Sequence, residues 1–292
     1  MAVLAERPAV RARARWRAGL LDAAPLALAG IVANGGSLVV TLVLARVLAD
    51  RDYGALNQLI GVFFVVSTPG SAVLVGVVRR VTRWPGALED VSRWGAAVHR
   101  RGAWALVLFA ALVLAAGPSV ASLLGRHDAA GFDAMAIAGA VWVLLCVDRG
   151  LLQARREYRA LSANLFLEGG ARTVFMIAFG AAGLGVSGVA AGVLVAELCT
   201  AVHARFVADR VWGRRPWTRV RGQRFGADAV VRRDLVAAVV ALAAIALLQN
   251  VDVIVMGREA PRAAGGYAAV SVASKALVFV AIAVAGYLLP EA

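Results

Sequence analysis

The sequence predicts an all-α, polytopic membrane helical bundle of about eight transmembrane helices, on three observations. Of the 292 residues, 61% are hydrophobic and 17% are charged, with a mean hydropathy of +0.76. A soluble domain has about 45–50% apolar and about 25% charged residues. The apolar residues also fall in runs with few or no charges, and a bilayer-crossing helix needs about 20 such residues at about 1.5 Å of rise each. Finally, the basic residues gather between alternate runs, as the positive-inside rule requires. This composition excludes a disordered chain, a disulfide-stapled secreted module and an ordinary cytosolic enzyme.

The first run covers residues 23–45 and follows Arg7, Arg11, Arg13, Arg15 and Arg17. Those arginines look like a signal-peptide n-region, but the run exceeds an h-region of about 7–15 residues, so it reads as an uncleaved first span. The second run covers 53–78 and the third 102–125. The fourth, 131–152, carries Asp133 and Asp148 near ends that can reach the headgroups. The next stretch reads as one helix over 173–196, or as two helices, 162–182 and 186–206, joined by Gly183-Leu184-Gly185-Val186-Ser187-Gly188 as a tight turn.

Charge placement decides between them. With the N-terminus in the cytoplasm, segment 79–101 lies inside with Arg79, Arg80, Arg83, Arg93, Arg100 and Arg101. Segment 149–159 lies inside with Arg149, Arg155, Arg156 and Arg159. Two helices bring the nine arginines of 205–233 inside as well; a single helix would put them outside. Two helices follow, forming an antiparallel pair packed through small residues. The seventh span is 234–257, with Asp252 near its outer end, and the eighth is 266–289, containing Lys275 and followed by Pro290.

The net charge of +13 invites a nucleic-acid reading. The basic clusters lie between apolar runs without a binding motif, however, so no nucleic-acid partner is expected. Trp212 and Trp217 among the arginines of 205–233 suit a headgroup layer, with Arg on anionic lipid. Cys146 and Cys199 read as small hydrophobes. No HExxH, GxSxG or phosphate-loop pattern occurs, and His99, His127 and His203 lie scattered near helix ends or loops. No enzyme activity, cofactor or metal is expected.

Three junctions carry a family resemblance. Leu44-Ala45-Arg46-Val47-Leu48-Ala49-Asp50-Arg51-Asp52-Tyr53-Gly54 resembles the junction between the first two helices of Wzx-type polysaccharide (oligosaccharide-lipid) flippases. Gly150-Leu151-Leu152-Gln153-Ala154-Arg155-Arg156-Glu157-Tyr158 is similar to the junction after their fourth helix. Asp252-Val253-Ile254-Val255 with Ala264-Gly265-Gly266-Tyr267-Ala268-Ala269 is similar to the one after their seventh. The resemblance implies the multidrug/oligosaccharidyl-lipid/polysaccharide exporter superfamily, with two six-helix lobes around a central cavity. Asp52-Tyr53-Gly54-Ala55-Leu56 also recurs loosely as Gly266-Tyr267-Ala268-Ala269-Val270, 214 residues on.

On that reading, 1–18 is a basic cytoplasmic N-terminus, 19–207 the first six-helix lobe, 208–233 a basic cytoplasmic loop, and 234–292 the first two helices of a second lobe. The family usually has twelve to fourteen helices, so a C-terminally truncated chain, or one that pairs with another, is expected. The implied function is translocation of a lipid-linked oligosaccharide across the cytoplasmic membrane for cell-surface polysaccharide biosynthesis. The implied partners are the lipid-linked glycan, anionic lipids, and glycan polymerase or glycosyltransferase proteins. The alternatives are a drug/cation antiporter of the same superfamily and a truncated, non-transporting scaffold.

Of the ionisable residues within spans, Glu168, Arg172, Glu197, Asp252 and Lys275 are the most telling. A charge at a helix centre costs about 2.5–3.5 kcal/mol on insertion scales, so each should face a partner or a wet cavity. Glu168 and Arg172, spaced i,i+4, can neutralise each other. The functional reading makes Arg172 and Lys275 the partners of a lipid-linked pyrophosphate, with Glu168 and Asn250 in the cavity and Glu197 or Asp252 holding a coupling proton or sodium ion. Asn57, Gln58 and Gln249 are further donors for sugar hydroxyls. Arg46 and Arg51, with Asp50 and Asp52, form a charged outer turn, either simply solvated or an outer gate. Asn34-Gly35-Gly36 and Thr68-Pro69-Gly70 are expected bends.

Overall fold

The low-charge runs fold as helices, with boundaries set by glycines, prolines and charged turns. A computed structural model describes residues 28–30, 32, 35–85, 87–126, 128–213, 229–271 and 274, and among these no strand occurs. The helices are α1 (Leu28–Val47), α2 (Asp50–Ser67), α3 (Gly70–Thr82), α4 (Leu88–Leu123), α5 (Ala130–Ala154), α6 (Tyr158–Ala181), α7 (Gly185–Val211) and α8 (Ala229–Glu259). A further helix, α9, covers 264–271. Lys275, Asn34, His127, Trp217 and the rest of the eighth expected span lie outside the described residues.

The stretch 162–206 is two helices, as the charge argument requires. Gly183 (φ 73°) and Gly185 (φ 63°) flank Leu184 in the left-handed region, which a residue without Cβ enters freely. The two helices then pack closely: a Cβ on Gly192 would stand 2.9 Å from the Phe175 carbonyl oxygen. The second run is interrupted at Thr68-Pro69, between α2 and α3. Pro69 has no N–H to give to Val65, and the turn closes through Ser71 N–H on Thr68 O and Ala72 N–H on Pro69 O, both at 3.1 Å.

The largest difference in boundary from expectation lies before the third run. Residues 88–101, read as part of an inner loop, are the first turns of α4, which is 36 residues long. The stretch is amphipathic: Val91, Gly95 and Ala97 are buried, while Arg93, Arg100 and Arg101 face out. Glu89 and Asp90 sit in the first turn, where the helix dipole favours carboxylates, and both pair with Arg93.

α5 is the central helix, packed against α2, α3, α4, α6 and α7. Its glycines admit neighbours closely: Gly139 meets Val66 of α2 and Gly150 meets Val77 of α3. A first core joins Val40, Leu44, Leu56, Leu59, Phe63, Met135, Ala138, Met176, Val189 and Val193 across α1, α2, α5, α6 and α7. A second, near the α3–α4 turn, joins Val77, Val91, Val147, Leu151 and Trp212. α8 packs on α2 and α3.

Among the described residues, six helical stretches are long and apolar enough to cross a membrane, with α2 and α3 counting as one. α4 exposes Trp104, Val107, Leu108, Leu112 and Leu114, and α8 exposes Val236, Val240, Leu248 and Val255. Outer surfaces so apolar suit a hydrocarbon surround. The turns alternate between two ends of the bundle. At the α3–α4 end, arginines meet aromatic rings: Arg80 lies 4.9 Å from the Trp84 ring centroid, Arg155 4.9 Å from Trp212 and Arg210 4.1 Å from Phe206.

Candidate functional site at the centre of the α5–α6–α7 packing

Four charged residues meet inside the bundle. Glu168 and Arg172 straddle the midpoint of α6, Glu197 sits at the midpoint of α7, and Arg149 reaches in from α5. Asn164, Glu168 and Arg172 repeat every four residues, so they share one helix face. That face is turned towards α5 and α7.

Glu168 is the hub. Its Oε2 accepts from Arg149 Nη2 at 2.5 Å, and its Oε1 accepts from Arg172 Nη2 at 2.7 Å and from Trp142 Nε1 at 3.2 Å. Arg172 Nη2 also donates to Glu197 Oε1. Asn164 extends the network: its Oδ1 accepts from Arg149 Nε at 2.7 Å, and its Nδ2 donates to Thr200 O at 3.0 Å and lies 3.1 Å from His203 Nδ1. The guanidinium of Arg172 stacks on Phe63 of α2, 5.2 Å from the ring centroid.

The four charges balance as two guanidinium and two carboxylate groups. They differ in access: side-chain exposure is 24% for Arg172, 12% for Glu168, 4% for Arg149 and 0% for Glu197. Within this network of four, two atoms are buried with no hydrogen-bond partner among the described residues, Glu197 Oε2 and Arg172 Nε.

A second polar cluster lies nearer the α3–α4 end. Asp148, the neighbour of Arg149, is approached by His99 Nδ1 of α4 at 2.9 Å and by Arg205 Nη1 of α7 at 3.3 Å. Arg205 Nη2 also reaches Asp209 at 2.9 Å. At the opposite end, Gln58 of α2 is buried and donates both amide hydrogens, to Leu124 O at 3.1 Å and to Ile254 O at 3.0 Å. It thereby ties α2 to the end of α4 and to α8. An apolar cavity of about 370 Å³ lies between α2, α4, α5 and α8, lined by residues such as Val62, Val66, Phe109, Leu112, Phe132 and Leu247.

The structure therefore brings together three of the expected site residues, Glu168, Arg172 and Glu197. The i,i+4 pair forms as expected, and Glu197, at the centre of α7, pairs with Arg172. Asp252 is elsewhere, on α8, where Tyr267 Oη donates to it at 3.0 Å and Ser271 Oγ at 3.3 Å. Asn250 donates to Ala246 O of its own helix at 2.7 Å, and Asn57 to Tyr53 O of its own at 2.9 Å. Arg46, in the last turn of α1, and Arg51, in the first turn of α2, are exposed. The sequence reading missed Arg149, which it placed in an inner segment, and also Asn164, Asp148, His99 and His203. The recurrence of Asn164 four residues before Glu168 was the available signal. Comparison with protein-family models, curated proteins and solved structures gives no match for the chain.

Proposed function

We propose that the chain is part of a membrane transporter that carries an anionic, lipid-linked oligosaccharide across the cytoplasmic membrane for surface polysaccharide synthesis. The reading takes the N-terminus as cytoplasmic. The observation that carries it is the charge network centred on Arg172, Glu168 and Glu197. Each charge at a helix midpoint costs about 2.5–3.5 kcal/mol on insertion scales, and apolar residues of similar volume would often hold the helices as well or better. A transporter has a use for such a network, because its polar groups can exchange partners with a charged cargo.

Two further features support this reading. Arg172 is the most open of the four charges, and a guanidinium matches phosphate oxygens. The cavity between α2, α4, α5 and α8 has a wholly apolar lining, which suits a hydrocarbon tail and not a sugar. A drug/cation antiporter fits less well, since each carboxylate of the network already holds a guanidinium.

The test is reconstitution of the protein in vesicles containing a fluorescent lipid-pyrophosphate oligosaccharide, with an impermeant reagent reading the leaflet. Wild-type protein is expected to transfer the probe, and Arg172→Ala and Lys275→Ala to reduce transfer per folded molecule at least about tenfold, a barrier increase of about 1.4 kcal/mol. Transfer no faster than in protein-free vesicles would reject the reading, and normal transfer by both variants would reject the cationic assignment.

A further inference from the structure

Arg172 is not a free cation. Both of its ion pairs run through one nitrogen, Nη2, to Glu168 and Glu197. An oxyanion placed against it would leave the centre of the bundle with excess negative charge, which an apolar surround penalises heavily. One added proton would reduce that excess, and the geometry identifies the group that can take it.

Glu168 is saturated, with Oε1 bonded to Arg172 and Trp142 and Oε2 to Arg149. Glu197 is not. It is fully buried, its Oε1 pairs with Arg172, and its Oε2 has no hydrogen-bond partner among the described residues. The ionisable groups around it are Arg149 and Cys146 from α5, Glu168 and Arg172 from α6, and His203 two turns on along α7; α2 contributes the Phe63 ring under Arg172. Of the two guanidinium groups, Arg149 is enclosed and engaged through Nε and Nη2, whereas Arg172 keeps a quarter of its side-chain surface open and has Nε unpartnered.

We propose that Glu197 and Arg172 form one proton-linked anion site, in which a proton on Glu197 frees Arg172 to bind a phosphate-type oxyanion, so that anion and proton bind together. A proton adds to Glu197 Oε2, no bond to carbon or phosphorus breaks, and Arg172 keeps its own protons. Glu168 continues to hold both guanidinium groups in place. The proposal rests on the transporter reading of the same residues and adds its coupling: one proton accompanies one anionic headgroup.

The test is calorimetric titration of the purified full chain in lipid nanodiscs with sulfate, which keeps its charge across the neutral pH range. Runs in buffers of different ionisation enthalpy count the protons taken up. The wild-type chain is expected to take up about one proton per sulfate, with affinity rising up to about tenfold for each unit of pH lowered. Glu197→Gln should bind sulfate without proton uptake, and Arg172→Ala should lose sulfate binding. Glu168→Gln should keep the proton uptake if it keeps the fold.

Uptake that persists in Glu197→Gln, sulfate affinity that ignores pH, or no sulfate binding would overturn the proposal. Should Glu197→Gln fail to fold, infrared difference spectra of the wild-type chain decide: a new protonated-carboxyl band on adding sulfate supports the proposal, and its absence overturns it. A chain that transports the lipid-linked probe but binds sulfate without a proton sinks this inference alone. Proton-linked sulfate binding without transport sinks only the transporter reading.

Discussion

Arg172 of α6 and Glu197 of α7 join two antiparallel helices near their midpoints, and Glu168 passes that link on to Arg149 of α5. The three helices thus share one charge-balanced core inside an apolar bundle. Removing one member strands its partner. Arg149→Ala, which leaves Glu168 half-paired, should cost about 3–5 kcal/mol of stability. Arg149→Met combined with Glu168→Leu and Arg172→Met with Glu197→Leu should cost much less than the sum of the single changes. Unfolding in mixed detergent followed by circular dichroism distinguishes the two outcomes.

Gln58 should matter to stability and not to cargo. Its two amide hydrogens are used on Leu124 O and Ile254 O. Gln58→Leu removes both bonds, at about 1 kcal/mol each. Gln58→Glu should be worse, because it sets a carboxylate against two carbonyl oxygens. Thermal unfolding should show the order wild type, Leu, Glu, and vesicle transfer per folded molecule should be unchanged in Gln58→Leu.

Close backbone contact fixes the α1–α2 turn against the start of α9. A Cβ on Gly54 would stand 2.7 Å from Ala264 Cβ and 2.8 Å from Gly265 N, and one on Gly265 would stand 2.7 Å from Asp50 O. None of these neighbours is the end of a flexible side chain. Gly54→Ala and Gly265→Ala should each cost about 1–3 kcal/mol through overpacking. Gly266→Ala, where a Cβ meets nothing within 4 Å, serves as the control and should unfold close to wild type.

Asp128, in the turn between α4 and α5, is held below the usual carboxylate range, chiefly by the hydrogen bond from Ser187 Oγ and next by the Ala130 N–H. A depressed carboxyl pKa contributes stability that is present above the unfolded value, near 4, and lost as pH falls through the folded value. Ser187→Ala should raise the Asp128 pKa towards the ordinary value and shrink that acid-side loss. Carbon-detected NMR titration of the Asp128 carboxyl in micelles reads the shift directly; an unchanged pKa would refute the assignment.

Much of the fold was legible because hydropathy and charge are local. The Gly183–Gly185 turn, the Thr68–Pro69 break and the Glu168–Arg172 pair all follow from residues close in sequence. The start of α4 was hidden because its arginines count as loop charge, although Val91, Gly95 and Ala97 form a buried stripe between them. Arg149 was hidden for a geometric reason. Adjacent residues on a helix point about 100° apart, so Asp148 turns to His99 and Arg205 while Arg149 turns to Asn164 and Glu168. Two neighbouring charges that look like one patch in the sequence serve two separate clusters. Gln58 joins carbonyls 66 and 196 residues away, which no local pattern announces.

The polarity of α6 bears on how the chain is made. Among α1 to α8, α6 alone lies outside every stretch apolar enough to cross a membrane, because Asn164, Glu168 and Arg172 line one face. A nascent helix with that face towards acyl chains has no reason to leave the translocon. Its charges find shelter only when α5 is already seated beside it and α7 brings Glu197 from the other side. The two-glycine turn around Leu184 is short enough to deliver α7 immediately after α6. The pair is therefore expected to enter the bilayer as a hairpin against α5, so that the ion pairs of the finished bundle bear on the order of its biogenesis.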